Sequence, residues 1–138
     1  MLVHFGTTDG IDVMTSTATA SFVLDKWEPQ AEEETAGTRF ARVVIAKTFT
    51  GDVEGTSTVE MLTAVNETSR AYVAFERFAG AVDGREGAFV LHHSAGDHGL
   101  DLRILPGSGT GDLTGITGTA TITQDAEGNH TFTLTYEG

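Results

Sequence analysis

The chain has no cysteine, two prolines and eight basic residues against twenty acidic ones. The lack of cysteine excludes disulfides, thiolate nucleophiles and cysteine metal sites, and it suits a reducing cytoplasm. The net charge of −12 disfavours binding to nucleic acid or to an anionic membrane surface, because both repel an acidic protein. No apolar run reaches membrane-spanning length, and the first residues lack the pattern of a signal peptide. We therefore expect a cytoplasmic protein without nucleic-acid or membrane partners.

The residues that are abundant indicate β-structure. Seventeen glycines and many threonines are typical of strands joined by tight turns. Alternation of apolar and polar residues in several segments, together with the turn residues between segments, predicts eight strands, near residues 16–26, 38–50, 54–65, 70–82, 86–93, 98–104, 117–124 and 130–137. No segment has a convincing amphipathic helical pattern. We expect one domain over residues 1–138, in which residues 1–13 form an irregular lead-in.

Strands that are short and evenly spaced favour an all-β fold, an eight-stranded antiparallel β-barrel. Closure of the sheet removes the exposed edges that threonine-rich strands would otherwise present. An eight-stranded barrel is just wide enough inside for side chains or for one small ligand. The acidic segment 28–37 is predicted to be an exposed loop. It is not predicted to bind calcium, because it lacks the spaced oxygen ligands of a calcium site.

The segment from Gly107 to Gly111, GSGTG, resembles a phosphate-binding turn at first sight. A dinucleotide-binding turn must be followed by a helix, and a Walker motif needs a lysine after its glycines. The residues that follow contain two more glycines, no lysine and no helical pattern. The segment is therefore predicted to be a tight crossing between strands, with glycines in positive-φ conformations.

Two carboxylates lie in mid-strand, whereas most acidic residues of the chain occupy turns. Glu76 shares a predicted face with Tyr72 and Phe78, and Glu60 shares one with Leu62. A carboxylate among apolar neighbours must be paired, hydrogen-bonded or protonated, and such groups often perform proton transfer. The alternative is a structural ion pair with an arginine of another strand, or an ordinary outward-facing side chain.

The histidines do not predict a metal site. His92 and His93 are neighbours on one strand, so their side chains point to opposite faces and cannot share an ion without distortion. We expect no metal and no cofactor. His93 shares its face with Phe89 and Leu91, which makes it a candidate for the site. The simpler interpretation of such a residue is a hydrogen-bonded histidine of the core.

Four stretches of the chain resemble a family of small bacterial proteins of unknown function. They are FxGDxEG from Phe49, YVAxERFxG from Tyr72, GRxGxFVLxH from Gly84 and PGSGTGxLxGIxG from Pro106. The resemblance implies an eight-stranded barrel similar to that of plant allene oxide cyclase, whose relatives bind apolar small molecules in the lumen. It also implies that four residues occupy positions favoured in the family, namely Glu60, Glu76, Arg85 and His93. The residue before His93 is often an amide in the family, and His92 departs from that pattern.

Pattern and resemblance together predict that the lumen binds a small apolar molecule, with or without chemistry, and that the protein is a homo-oligomer. The predicted ligand contacts are Tyr72, Phe78, Arg85, Phe89 and Leu91. One alternative is a cofactor-free isomerase or cyclase that acts on an apolar substrate. In it Glu76 or Glu60 moves a proton, and His93 or Arg85 stabilises negative charge. The other alternative is a filled barrel that acts only as an oligomeric interaction module. Whether the protein is an enzyme is left open.

Overall fold

A computed structural model describes the backbone of residues 3–5 and 13–138 and the side chains from residue 15 onward. The strands in these parts of the chain are β1 (Val3–Phe5), β2 (Val13–Thr35), β3 (Thr38–Gly51), β4 (Val53–Val65), β5 (Arg70–Val82), β6 (Arg85–Gly96), β7 (Gly99–Ile104), β8 (Thr117–Gln124) and β9 (His130–Glu137). A short 3-10 helix, Gly111–Leu113, lies between β7 and β8. The predicted lead-in contains β1; its residues 1–2 and 6–12 lie outside the described residues. No helix of the described parts is long and apolar enough to cross a membrane.

The strands β2 to β9 form a closed antiparallel barrel. Each strand pairs with its neighbours in sequence, and residues 16–22 of β2 also pair with residues 130–136 of β9. This last pairing joins the two ends of the sheet, so the prediction of an eight-stranded antiparallel barrel is confirmed. Strand β1 lies outside the ring and pairs with the first residues of β2. Strands β5 and β8 have their predicted bounds, whereas β6 continues past its predicted end to Gly96.

The prediction of an acidic loop at residues 28–37 is wrong. Strand β2 continues to Thr35 and turns through Ala36 and Gly37, whose φ angles are 51° and 86°, into β3. Beyond the segment paired with β9, this half of β2 pairs with β3 only. Its residues are exposed on both faces, so the alternation that reveals a half-buried strand is missing. Glutamates, Pro29 and two register shifts protect the free edge from pairing with other chains.

One half of the lumen is filled with apolar side chains. The rings of Phe49, Phe78, Phe89 and Phe132 form a chain of contacts with centroids 4.9 to 5.6 Å apart. Leucine, valine and isoleucine side chains from six further positions are fully or almost fully buried around them: Val53, Val82, Leu91, Leu102, Ile104 and Leu134. This half is a packed core.

The glycine-rich segment closes the filled end of the barrel. The backbone N–H of Thr110 donates to the carbonyl of Ala88 at 2.9 Å, and Leu113 and Ile116 are fully buried. A Cβ atom on Gly87 would lie 2.0 Å from the Thr110 carbonyl oxygen, so only glycine permits this approach. The prediction of a tight crossing with positive-φ glycines is confirmed, since Gly107, Gly111 and Gly115 have φ of 84°, 60° and 85°.

Candidate functional site

The barrel brings one carboxylate into its interior, on strand β5. Side chains of this strand alternate, so Glu76 points into the lumen between Ala74 and Phe78. Across the ladders Glu76 lies opposite a valine of β4 and a leucine of β6. Ser57 and His93 are therefore its diagonal neighbours, two residues from those positions. Register alone thus places a hydroxyl and an imidazole beside the carboxylate.

Glu76 is fully buried and its carboxylate has three side-chain partners. Lys47 donates from Nζ to Oε1 at 3.2 Å, and Ser57 donates from Oγ to Oε2 at 2.5 Å. The Nε2 atom of His93 lies 2.7 Å from Oε1. All three partners are buried as well. A buried carboxylate without such partners would be strongly disfavoured, so these contacts allow Glu76 to stay ionised inside the barrel.

The pKa of Glu76 is lowered, which fixes the direction of the hydrogen bonds. Burial is the largest influence and raises the pKa of Glu76, but the His93 hydrogen bond, the Lys47 charge and Ser57 together outweigh it. An ionised carboxylate only accepts hydrogen bonds, so His93 donates from Nε2. On the other side of the His93 ring, the hydroxyl of Tyr72 lies 3.5 Å from Nδ1. Tyr72, His93 and Glu76 thus form a polar relay.

The other half of the lumen is an open cavity of about 530 Å³. Its lining is mainly apolar and consists of Phe22, Leu24, Trp27, Ile45, Lys47, Met61, Thr63, Val65, Arg70, Ala71, Tyr72, Ala95, Gly96, Ile122 and His130. Lys47 and Tyr72 reach the cavity, whereas Glu76 and His93 are not part of its wall. Leu24 and Trp27 are exposed, so the cavity opens to solvent on their side. The polar cluster is the floor between this cavity and the filled half.

The two predicted catalytic carboxylates are separated by the barrel wall. Glu76 and His93 come together inside the barrel. Glu60 lies on the outer face of β4, where its side chain is 53% exposed and Arg77 contacts its Oε2 at 2.6 Å. The face that Glu60 shares with Leu62 is therefore the outer one, and Leu62 is itself exposed. Because alternation along β4 places it outside, Glu60 does not belong with Glu76 in one site.

The five predicted ligand contacts lie in different parts of the barrel. Tyr72 lines the open cavity. Phe78, Phe89 and Leu91 pack in the filled half, so the prediction that they contact a ligand does not agree with the structure. Arg85 lies at the start of β6, far along the barrel from Tyr72, and donates to the carbonyl of the last residue at 2.5 Å. None of Phe78, Phe89, Leu91 and Arg85 lines the open cavity.

Two polar members of the site, Lys47 and Ser57, were missed by sequence reasoning. Lys47 has the same parity along β3 as Val43 and Ile45, which are buried. A lysine on an apolar strand face signals a buried cation that needs a carboxylate partner. Serine in a threonine-rich strand carries no comparable signal.

Within the described residues, no group of three or more histidine, aspartate and glutamate side chains could hold a metal ion.

Comparison with known proteins identifies relatives for nearly the whole chain. Residues 18–136 match the family described as "Protein of unknown function (DUF3224)". A crystal structure of a DUF3224 protein of unknown function from Shewanella oneidensis MR-1 is 34% identical, with a TM-score of 0.81. The match covers 88% of this chain and 96% of that one. Among curated proteins, no match is found.

Proposed function

Because this chain belongs to the DUF3224 family, whose function is unknown, we propose that it binds a small apolar molecule in the open half of its barrel. The observation that supports this is the cavity of about 530 Å³ with its mainly apolar wall. Small-molecule sites commonly measure about 300 to 1,000 Å³ and combine an apolar lining with a few polar groups. Lys47 and Tyr72 are such groups, and both are held from behind by the buried cluster.

The floor of the cavity is held together by buried hydrogen bonds, which suits a preformed binding site. The Nζ atom of Lys47 is fixed by Glu76 and lies 4.5 Å from the centre of the Phe22 ring. A cation held in this way cannot move into the cavity without giving up its buried ion pair with Glu76. An apolar ligand would thus enter an existing space, and its polar atoms would meet one ammonium and one hydroxyl group.

Filling the cavity is expected to abolish binding of an apolar probe. Ala95 lines the cavity on β6, so Ala95→Phe places a ring inside it. We expect a neutral solvatochromic dye to bind the wild-type protein and to bind this variant about tenfold more weakly or worse, a loss of roughly 1.4 kcal/mol or more. Fluorescence titration measures the affinity, and Trp27, the single tryptophan, lies at the mouth as a second probe.

The matched control is Ala79→Phe, because Ala79 is exposed on the outer face of the neighbouring strand β5. It adds the same ring without entering the lumen. Equal dye affinity in Ala95→Phe, Ala79→Phe and the wild-type protein would show that the dye binds elsewhere, and the proposed lumen site would be wrong. Thermal melting of all three proteins verifies that they are folded during the titration.

A second candidate, a cofactor-free isomerase or cyclase with an allene oxide cyclase-like barrel, is supported by the relay behind the cavity. Burial and the nearby Glu76 charge raise the pKa of Tyr72, so its hydroxyl stays protonated. A protonated phenol at an apolar site is suited to donate to an oxygen of the substrate as negative charge develops there. In this reading the Tyr72 hydroxyl turns from His93 Nδ1, 3.5 Å away, and donates its single proton to the substrate, while Glu76 holds His93 in place.

The two candidates differ in the expected behaviour of Tyr72→Phe. If the protein is an enzyme, product analysis of bound apolar ligands should detect conversion by the wild-type protein and at least about tenfold slower conversion by this variant, with dye affinity nearly unchanged. If the protein only binds, no ligand is converted by either form. Conversion at equal rates by both forms would exclude the Tyr72 hydroxyl as the group that donates to the substrate.

The homo-oligomeric state and the cytoplasmic location stay predictions.

A further inference from the structure

Among the residues that the structure describes, the side chains that line the open cavity include positive ones and no negative one. The chain has twenty acidic and eight basic residues, yet the described part of the lining includes Lys47 and Arg70 and neither aspartate nor glutamate. His130 adds an imidazole, stacked on Phe22 with ring centroids 4.8 Å apart. In a protein of net charge −12, a cavity without acidic residues favours an anionic group over a cationic one.

The two cations lie at opposite ends of the cavity. Arg70, Tyr72 and Glu76 have the same parity along β5, so their side chains share the lumen face of the strand. Arg70 begins the strand and is exposed, whereas Lys47 is buried beside Glu76. Six residues of extended chain between Arg70 and Glu76 correspond to about 20 Å. An elongated molecule can therefore lie along the cavity with one end at each cation.

Of these two cations, the outer one is available to an anion. Lys47 already neutralises Glu76 at 3.2 Å, and a second carboxylate at this point would be repelled by the first. The guanidinium of Arg70 makes no hydrogen bond or ion pair within the part of the chain that the structure describes. Arginine presents a planar set of donors that matches a carboxylate in two parallel hydrogen bonds. Arg70 is thus suited to hold a carboxylate at the mouth.

From this arrangement we infer that the ligand is an amphipathic carboxylate. Its charged head binds Arg70 at the mouth, and its apolar tail extends through the lumen toward Lys47 and Tyr72. The inference rests on the proposed binding function and adds the chemical class of the molecule. It differs from purely apolar binding in one respect that can be measured, namely the dependence of affinity on the charge of the head group.

The test compares decanoate with decanol, which has the same tail and a neutral head, as competitors of the neutral dye. Wild-type protein is expected to bind decanoate about tenfold more tightly than decanol. Arg70→Gln is expected to remove this tenfold preference, measured as the ratio of the decanoate and decanol affinities within the same variant. The control is Arg42→Gln, because Arg42 is exposed on the outer face of β3 and does not line the cavity. This control should bind all three molecules as the wild-type protein does.

The outcomes separate the inference from the function on which it rests. Decanol that competes as well as decanoate, or decanoate that binds Arg70→Gln as tightly as the wild-type protein, would overturn the carboxylate assignment and leave lumen binding standing. The assignment would equally be overturned if Arg42→Gln lost as much decanoate affinity as Arg70→Gln. If neither competitor nor dye binds the wild-type protein, both the inference and the proposed function are wrong.

Discussion

Replacing Glu76 with glutamine is expected to lower the free energy of unfolding by about 3 kcal/mol, because it leaves a buried charge unpaired. Glutamine has nearly the shape of glutamate, so packing in the floor of the cavity is preserved. The ammonium of Lys47, however, loses the only carboxylate within 4 Å among the described residues and remains buried. Urea denaturation at neutral pH measures the change, and the slope of the transition shows whether both proteins unfold from equally compact states.

The barrel offers a matched control on its outer surface. Glu60→Gln removes the same charge from a carboxylate that is also ion-paired, to Arg77 at 2.6 Å, but with half of each side chain exposed. Exposed ion pairs contribute little, so the loss should stay below about 1 kcal/mol. The double variant Lys47→Met with Glu76→Gln should recover part of the stability, since no charge is then buried. Equal losses for Glu60→Gln and Glu76→Gln would contradict the buried ion pair.

The stability contributed by Glu76 should also depend on pH in a definite direction. Its folded-state pKa is lowered from the ordinary value of 4.5. The contribution is therefore fully present above that value and is lost as the pH falls through the lower, folded-state pKa. In urea titrations across this acidic range, the advantage of the wild-type protein over Glu76→Gln should shrink. If the difference in unfolding free energy between the two proteins instead increased as the pH fell, the carboxyl group of Glu76 would be protonated in the folded protein.

Replacing Gly87 with alanine should destabilise the closed end of the barrel by about 3 kcal/mol, the upper part of the usual range for overpacking. The new Cβ would lie 2.0 Å from the Thr110 carbonyl oxygen and 3.2 Å from the Leu113 Cβ. The first of these is a backbone atom, and Thr110 is held against β6 by two hydrogen bonds to Ala88. Relief of the contact therefore requires the whole crossing segment to move. Thermal and urea unfolding of purified protein measure the loss.

A glycine near the other end of the same strand provides the comparison. Gly96 meets the flexible side chain of His98 at 3.3 Å, and neither Gly87 nor Gly96 has a φ angle in the left-handed region. Gly96→Ala should therefore change the free energy of unfolding by less than about 1 kcal/mol. If Gly87→Ala were as stable as Gly96→Ala, the crossing segment would not be packed tightly on β6.

Local alternation was sufficient to predict most of the barrel. The run from Thr117 to Gln124 and the run from His130 to Glu137 place threonine at every second position over most of their length, and both are strands with those bounds. Alternation depends on neighbouring residues only, because successive side chains of a strand point to opposite faces. The same pattern placed Glu76 with Tyr72 and His93 with Leu91, and both groupings are present in the lumen.

Alternation could not decide which face of a strand is inside, and for that the tertiary structure was needed. Glu60 and Glu76 both lie mid-strand among apolar residues, yet β4 directs Glu60 outward and β5 directs Glu76 inward. The acidic half of β2 is a strand only because β3 pairs with it. The meeting of Lys47, Ser57 and His93 at one carboxylate depends on register across four strands and on closure of the ring. No single segment of the chain contains that information, because the four residues become neighbours only after the strands have paired.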